Sequence, residues 1–374
     1  ESVDGMDRNQ WATTTGIRIE AAFAHHEPDR TPVFEYVILS PLADQLLGRP
    51  CAADAGWDRA LAYYGWEGAV KQRAVDLLDL AILLGHDLLY VVPNPPPPAD
   101  GELAVSGISA AIDADTAGDA PTDPVDVLRQ RNQRAAQEPS PDDDTYLVYA
   151  ALEEEMERRG LDLPVMAPAY GHGVWTDTDL MQTMVLTPEV AAEHFGLATN
   201  RCLARIDQYL KLGVSLLGVG GDFAGQRLMI SPRMYQQLIV PEIQKLSRHI
   251  HAAGARAINA SDGDLWPVID NFLIECEVDA YLEIDMHAGM DLRRLKSEYG
   301  SRVALLGNLD CGNTLSFGTP EEVHTHVTDC LEAGWGDGGH ILCASNAITA
   351  SVSLMNYLAV VNAHRDFFAL PRFS

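Results

Sequence analysis

Eight short apolar runs recur along the chain, most of them ending in a polar or glycine cluster just ahead of a helix-patterned segment. They are Pro32–Leu39, Asp87–Pro93, Leu163–Tyr170, Val214–Asp222, Ala255–Asp262, Ala280–Asp285, Arg302–Asp310 and His340–Asn346. A strand that is apolar on both faces must be covered on both, which happens when parallel strands alternate with helices. Eight such repeats predict an α/β fold, the (β/α)8 TIM barrel. Barrels of this kind place their chemistry in the loops after the strands, so the residues ending each run are the functional candidates.

The rest of the chain fits around this frame. Residues 1–31 read as an N-terminal helical extension, with a helix over 14–25 and a Pro-Asp-Arg turn into the first strand. Helices are expected over 41–49, 57–85 and 144–160, then near 187–212, 232–253, 264–277, 291–299, 319–334 and 351–369. Thr187-Pro188, Ser231-Pro232 and Thr319-Pro320 each set a cap residue before a proline at the first helical position. After the second run come four consecutive prolines, Pro95–Pro98, which neither helix nor central strand accepts. Residues 94–143 therefore read as a Pro/Asp-rich insertion after strand two, either a lid or a decoration without a role. With 374 residues, length alone allows two domains. One decorated barrel domain over 1–374 is the reading adopted.

Charge excludes some partners. Lys and Arg number 26 against 54 Asp and Glu, a net charge of −28. Nucleic acid is not expected, because its phosphates need clustered cations. A membrane is not expected either: Leu77–Val92 is the longest apolar stretch, and Asp79, His86 and Asp87 interrupt it. Six cysteines without a CxxC pair read as reduced thiols. With no charged-then-apolar leader visible, the expectation is a cytoplasmic protein.

Familiar catalytic signatures are missing: no GxxxxGK loop, no HExxH, no GxSxG. Gly218-Val219-Gly220-Gly221 follows a strand but fails the dinucleotide spacing, and Asp285-Met286-His287-Ala288-Gly289 is one residue short of a corrinoid-binding pattern. What remains are the strand ends. They supply Glu35 and Tyr36; Tyr170, His172 and Trp175; Asp222, Phe223 and Gln226; and Asn259 and Asp262. Further on come Glu283, Asp285 and His287; Asn308, Asp310 and Cys311; and Cys343, Ser345 and Asn346. Such a carboxylate-rich set suits proton transfer or metal binding. Each has an ordinary alternative: Asp262 or Asp310 as a helix cap, Glu283 with His287 as a structural hydrogen bond, Cys343 as core. His249, His251, His324 and His326 fall on outer helices and are read as surface residues.

The ordered motifs resemble the uroporphyrinogen decarboxylase superfamily, weakly before residue 160 and well from about 214 onward. They are Glu27-Pro28-Asp29-Arg30-Thr31-Pro32-Val33, Gly221-Asp222-Phe223-Ala224-Gly225-Gln226, Ile230-Ser231-Pro232 and Ser261-Asp262-Gly263-Asp264. Ala288-Gly289-Met290-Asp291, Gly307-Asn308-Leu309-Asp310, Gly318-Thr319-Pro320-Glu321-Glu322-Val323 and Ser345-Asn346 complete the set. The resemblance implies an eight-stranded barrel and one of two chemistries, decarboxylation of tetrapyrrole acetate arms or methyl transfer involving corrinoid proteins or thiols. The decarboxylase's Arg-rich segment after strand one is here Phe34-Glu35-Tyr36-Val37-Ile38-Leu39, without Arg. A polyanion there would meet Glu35 uncompensated. Thiol-methylating members hold zinc with a His-x-Cys pair after strand five and a later Cys. This chain has Ala260 and Asp262 at the pair, so Asp262 and Cys343 are metal ligands only if zinc is present, and little stoichiometric zinc is expected. Ser261-Asp262-Gly263 is similar to the O-demethylase type of methyltransferase, which acts on methoxylated small molecules.

The combined expectation is a methyltransferase-type barrel enzyme. It assigns Asp222 and Asp262 to acid–base or metal duty and His172 and His287 to proton carriage. Gln226, Asn259, Asn308 and Asn346 would orient a small substrate beside Glu35 and Glu283, while Tyr36, Phe223 and Trp175 pack against it. By analogy a separate corrinoid protein would accept the methyl group, and a homodimer is implied because family members are often dimers. A decarboxylase or related lyase on a non-porphyrin acid is the alternative enzyme, and a non-catalytic small-molecule-binding barrel is the third class.

Overall fold

The computed structural model describes residues 8–98, 123–137 and 143–373. Among the described residues seven short strands form, all from the expected runs: β1 Leu89–Tyr90, β2 Val165–Pro168, β3 Leu216–Gly220, β4 Arg256–Ala260, β5 Ala280–Leu282, β6 Ala304–Leu306 and β7 His340–Ile341. Their order is the chain order. Helices follow between them, as a parallel α/β arrangement requires. The chain divides into two compact units, one built from 8–98, 143–166 and 292–373, the other from 123–137 and 167–291.

In the first unit β1 pairs in parallel with β2 (Leu89 opposite Val165) and β6 with β7 (Leu305 opposite His340). The first apolar run does not become a ladder strand. It is tied by two isolated parallel bridges, Val33 to Leu342 and Ile38 to Ile348. The Asp87 N–H reaches the Val33 carbonyl at 2.7 Å. The run therefore keeps a strand's position between the β7 and β1 segments, and the gap between its bridges is where Glu35 and Tyr36 stand. Asp87 is fully buried, meeting Arg18 at 3.1 Å, Arg30 at 3.3 Å and the Val33 N–H at 3.0 Å. A buried carboxylate needs such company. The helix Leu354–Phe367 packs Tyr357 and Val360 into a core with Leu315, Val323, Val327 and Leu331 of the segments before it.

In the second unit β3, β4 and β5 pair in parallel, Val219 opposite Asn259 and Asn259 opposite Tyr281. Helices Pro188–Lys211 and Val240–Ala252 pack on this unit with buried Phe195, Ile206, Ile243 and Leu246. Two helices were not expected. Asp123 caps Pro124–Ala135 through Val125 N–H, and Asp177 caps Thr178–Leu186 through Leu180 N–H. The first lies inside the 94–143 insertion, where Arg131 also pairs with Asp177 at 2.8 and 3.0 Å. The remainder of that insertion, 99–122 and 138–142, lies outside the described residues, as do residues 1–7 of the N-terminal extension.

Helix starts largely follow the cap pattern. Ser231 Oγ accepts from Met234 N–H, and Thr319 with Glu322 forms a reciprocal capping box. Thr187 makes no side-chain cap to Pro188–Lys211; its N–H closes the preceding helix on the Thr183 carbonyl. Two expected helices are broken. That over 232–253 carries a π-turn at Tyr235–Ile239, where Pro241 lacks the N–H that would meet the Gln237 carbonyl. That over 264–277 reduces to a 3-10 turn Trp266–Val268 and a π-turn Asn271–Glu275.

Candidate functional site

Three carboxylates meet at the ends of β3, β4 and β5. Ligand atoms of Asp222, Asp262 and Glu283 lie within 4.8 Å of one another, each residue half-buried. Local backbone explains why. Asp222 is held at both ends: its carbonyl accepts from Val174 N–H (2.7 Å) and Trp175 N–H (3.1 Å), and its Oδ1 accepts from Asp262 N–H at 2.9 Å. Glycine permits that closeness. A Cβ on Gly221 (φ 137°) would sit 2.7 Å from Gly173 N, and one on Gly263 (φ 99°) 2.5 Å from the Ala224 carbonyl carbon. Only a residue without a side chain lets these loops touch. Glu283 has φ 71°, a left-handed conformation that L-residues with a Cβ adopt at a cost of about 1–2 kcal/mol. Strain of this kind at an acid cluster is a pointer to function.

The cluster offers oxygen alone. Among the described residues it is the one group of three potential metal-ligating side chains. Three carboxylates suit a shared proton or a hard cation such as Mg²⁺ or Mn²⁺, not the thiolate and imidazole set of a tetrahedral zinc centre. Cys343, the thiol considered for zinc, is fully buried in the first unit's core. The donor chemistry therefore does not fit zinc, and no step is routed through it.

Around the cluster the expected residues divide. His287 is exposed; its N–H is capped by Asp285 Oδ1 at 2.9 Å, and its carbonyl accepts from Gln226 at 3.2 Å. Trp175 is 50% exposed despite its size, and Gly225 leaves space for its ring, since a Cβ there would stand 3.2 Å from it. His172 points elsewhere. It is fully buried, its Nε2 lies 2.9 Å from Thr199 Oγ1, and Thr199 donates to Glu242 at 2.7 Å. Burial pushes its imidazolium down to about 4, so the ring is neutral near pH 7 and serves packing against Phe195.

Two aromatic and amide expectations are corrected by burial. Phe223 is 1% exposed and stacks on Tyr235 with centroids 4.3 Å apart, so it fills the core rather than facing a substrate. Asn259 is fully buried, and its Nδ2 donates to the Phe272 carbonyl at 2.9 Å inside the unit. Tyr281, also buried, has its phenol held well above the usual range, first by burial and then by the negative field of Asp262, Glu283, Asp285 and Asp264.

In the first unit the candidates play several parts. Asp310 is a cap: its carboxylate accepts from Asn313 N–H, Thr314 N–H and Thr314 Oγ1, all within 3.1 Å. The Asp310 N–H in turn donates to His326 Nε2 at 2.9 Å, so His326 is a structural partner and not the surface residue its helix suggested. His324, His249 and His251 do lie at the surface, paired with Asp366, Asp207 and Asp279. Asn308 is buried beside Cys330 Sγ, 3.6 Å from its Oδ1, and Asn346 is exposed.

Glu35 and Tyr36 line a cavity of about 260 Å³, together with Trp57, Arg73, His86 and Tyr90. The Glu35 carboxyl is 6% exposed; Oε2 accepts from Ala344 N–H at 3.0 Å and Oε1 is buried without a partner. Burial pushes it up to about 8, offset in part by the Ala344 N–H and the Tyr357 hydroxyl. Glu35 is thus a neutral acid at pH 7, which removes the anion repulsion expected of it. Arg73 and His86 were missed by sequence reasoning, since both lie within or just after the long helix Trp57–Leu84, far from a strand end. The signal available was an arginine on a largely apolar helix.

Residues 165–367 match the family described as uroporphyrinogen decarboxylase (URO-D). The chain is 23% identical over 178 residues to a uroporphyrinogen decarboxylase of Coxiella burnetii, covering 45% of each. It is 25% identical over 240 residues to a methylated-thiol–coenzyme M methyltransferase of Methanosarcina mazei, covering 61% of this chain and 59% of that protein. The matches thus span about half the length of these curated relatives. A solved structure of a methyltransferase from Methanosarcina mazei superposes with a TM-score of 0.67 at 16% identity, covering 95% of this chain and 99% of that one, a likeness of fold. No helix among the described residues is long and apolar enough to cross a membrane.

Proposed function

We propose that this chain, a member of the uroporphyrinogen decarboxylase family, stands on the methyltransferase side of it and is a cytoplasmic methyltransferase-type enzyme. It moves a methyl group from a small methoxylated compound to an acceptor, a separate corrinoid protein. The observation that carries this reading is the convergence of Asp222, Asp262 and Glu283 at consecutive strand ends. Breaking an O–CH₃ bond transfers the methyl to the acceptor's nucleophile and leaves the electron pair on oxygen. That alkoxide needs a proton or a cation, and a group of carboxylates supplies either. In this reading Asp222, anchored through Asp262 N–H, does so, with Asp262 and Glu283 as partners. Exposed Trp175 and Gln226 offer contact surface near it.

A donor set of oxygens without thiolate argues against activation of a thiol substrate and for an oxygen leaving group. The test is incubation of the purified chain with methoxylated aromatics and reduced cobalamin, following methylcobalamin by its visible spectrum. Methyl transfer that disappears in Asp222→Asn supports the reading. Release of carbon dioxide from an organic acid without any methyl transfer would replace it with the decarboxylase alternative, which the Coxiella similarity favours. Tight ligand binding without turnover, indifferent to Asp222→Asn, would favour a non-catalytic barrel.

A further inference from the structure

Arg73 is a cation without an acid. Its Nη atoms make long bonds to the carbonyls of Val92 (3.3 Å) and Pro93 (3.4 Å), and its Nε is buried with no partner. Among the described residues no carboxylate pairs with it. Its neighbours differ: Arg49 pairs with Asp76 and Asp79, and Arg159 with Asp79 and Glu155. A guanidinium in low-dielectric surroundings costs free energy until an anion meets it, and its fork matches a carboxylate in two-point fashion.

The walls of that cavity are largely apolar and aromatic, Tyr36, Trp57 and Tyr90 among them. Its polar features beyond Arg73 include the buried Glu35 carboxyl, whose Oε1 has no partner in the protein. The size is informative as well. A cavity of about 150 Å³ accepts a benzene ring, so about 260 Å³ holds one ring and a few further heavy atoms.

We propose that this cavity binds a small monocyclic carboxylate, its anion on Arg73, its ring against Tyr36, Trp57 and Tyr90, and a second oxygen facing Glu35. The inference goes beyond the function proposed above, since the cavity is lined by residues of the first unit alone and the acid cluster belongs to the second. Benzoate and its uncharged relative benzyl alcohol are titrated by calorimetry into the wild-type chain, Arg73→Gln and Arg73→Lys. Benzoate is expected to bind the wild type at least tenfold more tightly than benzyl alcohol does, to lose that advantage in Arg73→Gln, and to keep part of it in Arg73→Lys. Equal binding of the two ligands, benzoate binding unaltered by Arg73→Gln, or no binding of benzoate would overturn the proposal. Should the Gln variant fail to fold, the comparison of the two ligands on the wild type decides alone. Methyl transfer without benzoate binding would remove the cavity's role and leave the enzyme; benzoate binding without methyl transfer would do the reverse.

Discussion

Replacing Glu35 by Gln changes one property of the protein above all others, its response to alkaline pH. The folded carboxyl titrates near 8 against an ordinary 4.5. Below pH 4.5 the group is protonated both folded and unfolded and has no effect. Between 4.5 and 8 only the unfolded chain ionises, so the folded state holds the extra proton and loses stability as pH rises. At about 1.4 kcal/mol per pH unit this amounts to roughly 3 kcal/mol at pH 7 and roughly 5 above pH 8. Relaxation around the ionised group reduces the figure, so at least about 2 kcal/mol is expected. Glutamine keeps the acceptor for Ala344 N–H and carries no proton to lose. Tyr357 from the C-terminal helix and Cys311 are the titratable groups whose fields act on Glu35, and both are unchanged in the variant. Urea unfolding of both proteins from pH 5 to 9 should give midpoints that diverge steadily in favour of Glu35→Gln, levelling off above pH 8. Parallel curves across that range would refute the burial argument.

Three further outcomes follow from the same geometry. Asp222→Asn should abolish methyl transfer while shifting Tm by no more than a few degrees, because asparagine still accepts from Asp262 N–H; full activity in the variant would remove Asp222 from the mechanism. Glu283→Gly should stabilise the fold by about 1 kcal/mol by relieving φ 71°, and a lowered urea midpoint would show that the carboxylate matters more than the backbone. On the acid side, buried His86 and His364 are pushed down to about 3, and His172 and His340 to about 4, each by burial first. Depressed values favour the neutral folded form, so stability should fall as pH drops below about 6.5, and a flat urea midpoint between pH 6.5 and 5 would contradict it.

Much of this molecule was legible in the amino-acid order because apolar runs and proline caps are local signals. Seven of the eight runs hold a strand, the first being held only by isolated bridges, and Ser231 and Thr319 cap as their patterns require. The strands are shorter than the runs, however, because hydrogen-bonded pairing stops where glycine and aspartate bend the chain, as at Gly220-Gly221-Asp222. The convergence of Asp222 with Asp262 followed from strand-end logic. Their partner Glu283 was read for the substrate, and its left-handed backbone leaves no mark in residue type. Side-chain direction was the weakest inference. Phe223, Asn259 and His172 sit beside the acid cluster in sequence yet turn into the core. Nothing in a single chain's composition separates an inward from an outward rotamer at a loop. Arg73 was invisible for a different reason: its significance is the absence of a partner, which depends on the three-dimensional arrangement of residues distant in the chain.

Asp262 restrains Asp222 through its main-chain N–H, a donor that every residue except proline possesses. The orientation of one acid is thereby uncoupled from the identity of its neighbour. Serine, asparagine or histidine at position 262 would leave Asp222 aimed as it is while replacing oxygen by hydroxyl, amide or imidazole. The scaffold can thus be retuned one ligand at a time, and saturation mutagenesis at this single codon would sample proton-sharing, hard-cation and nitrogen-coordinating versions of the same chamber.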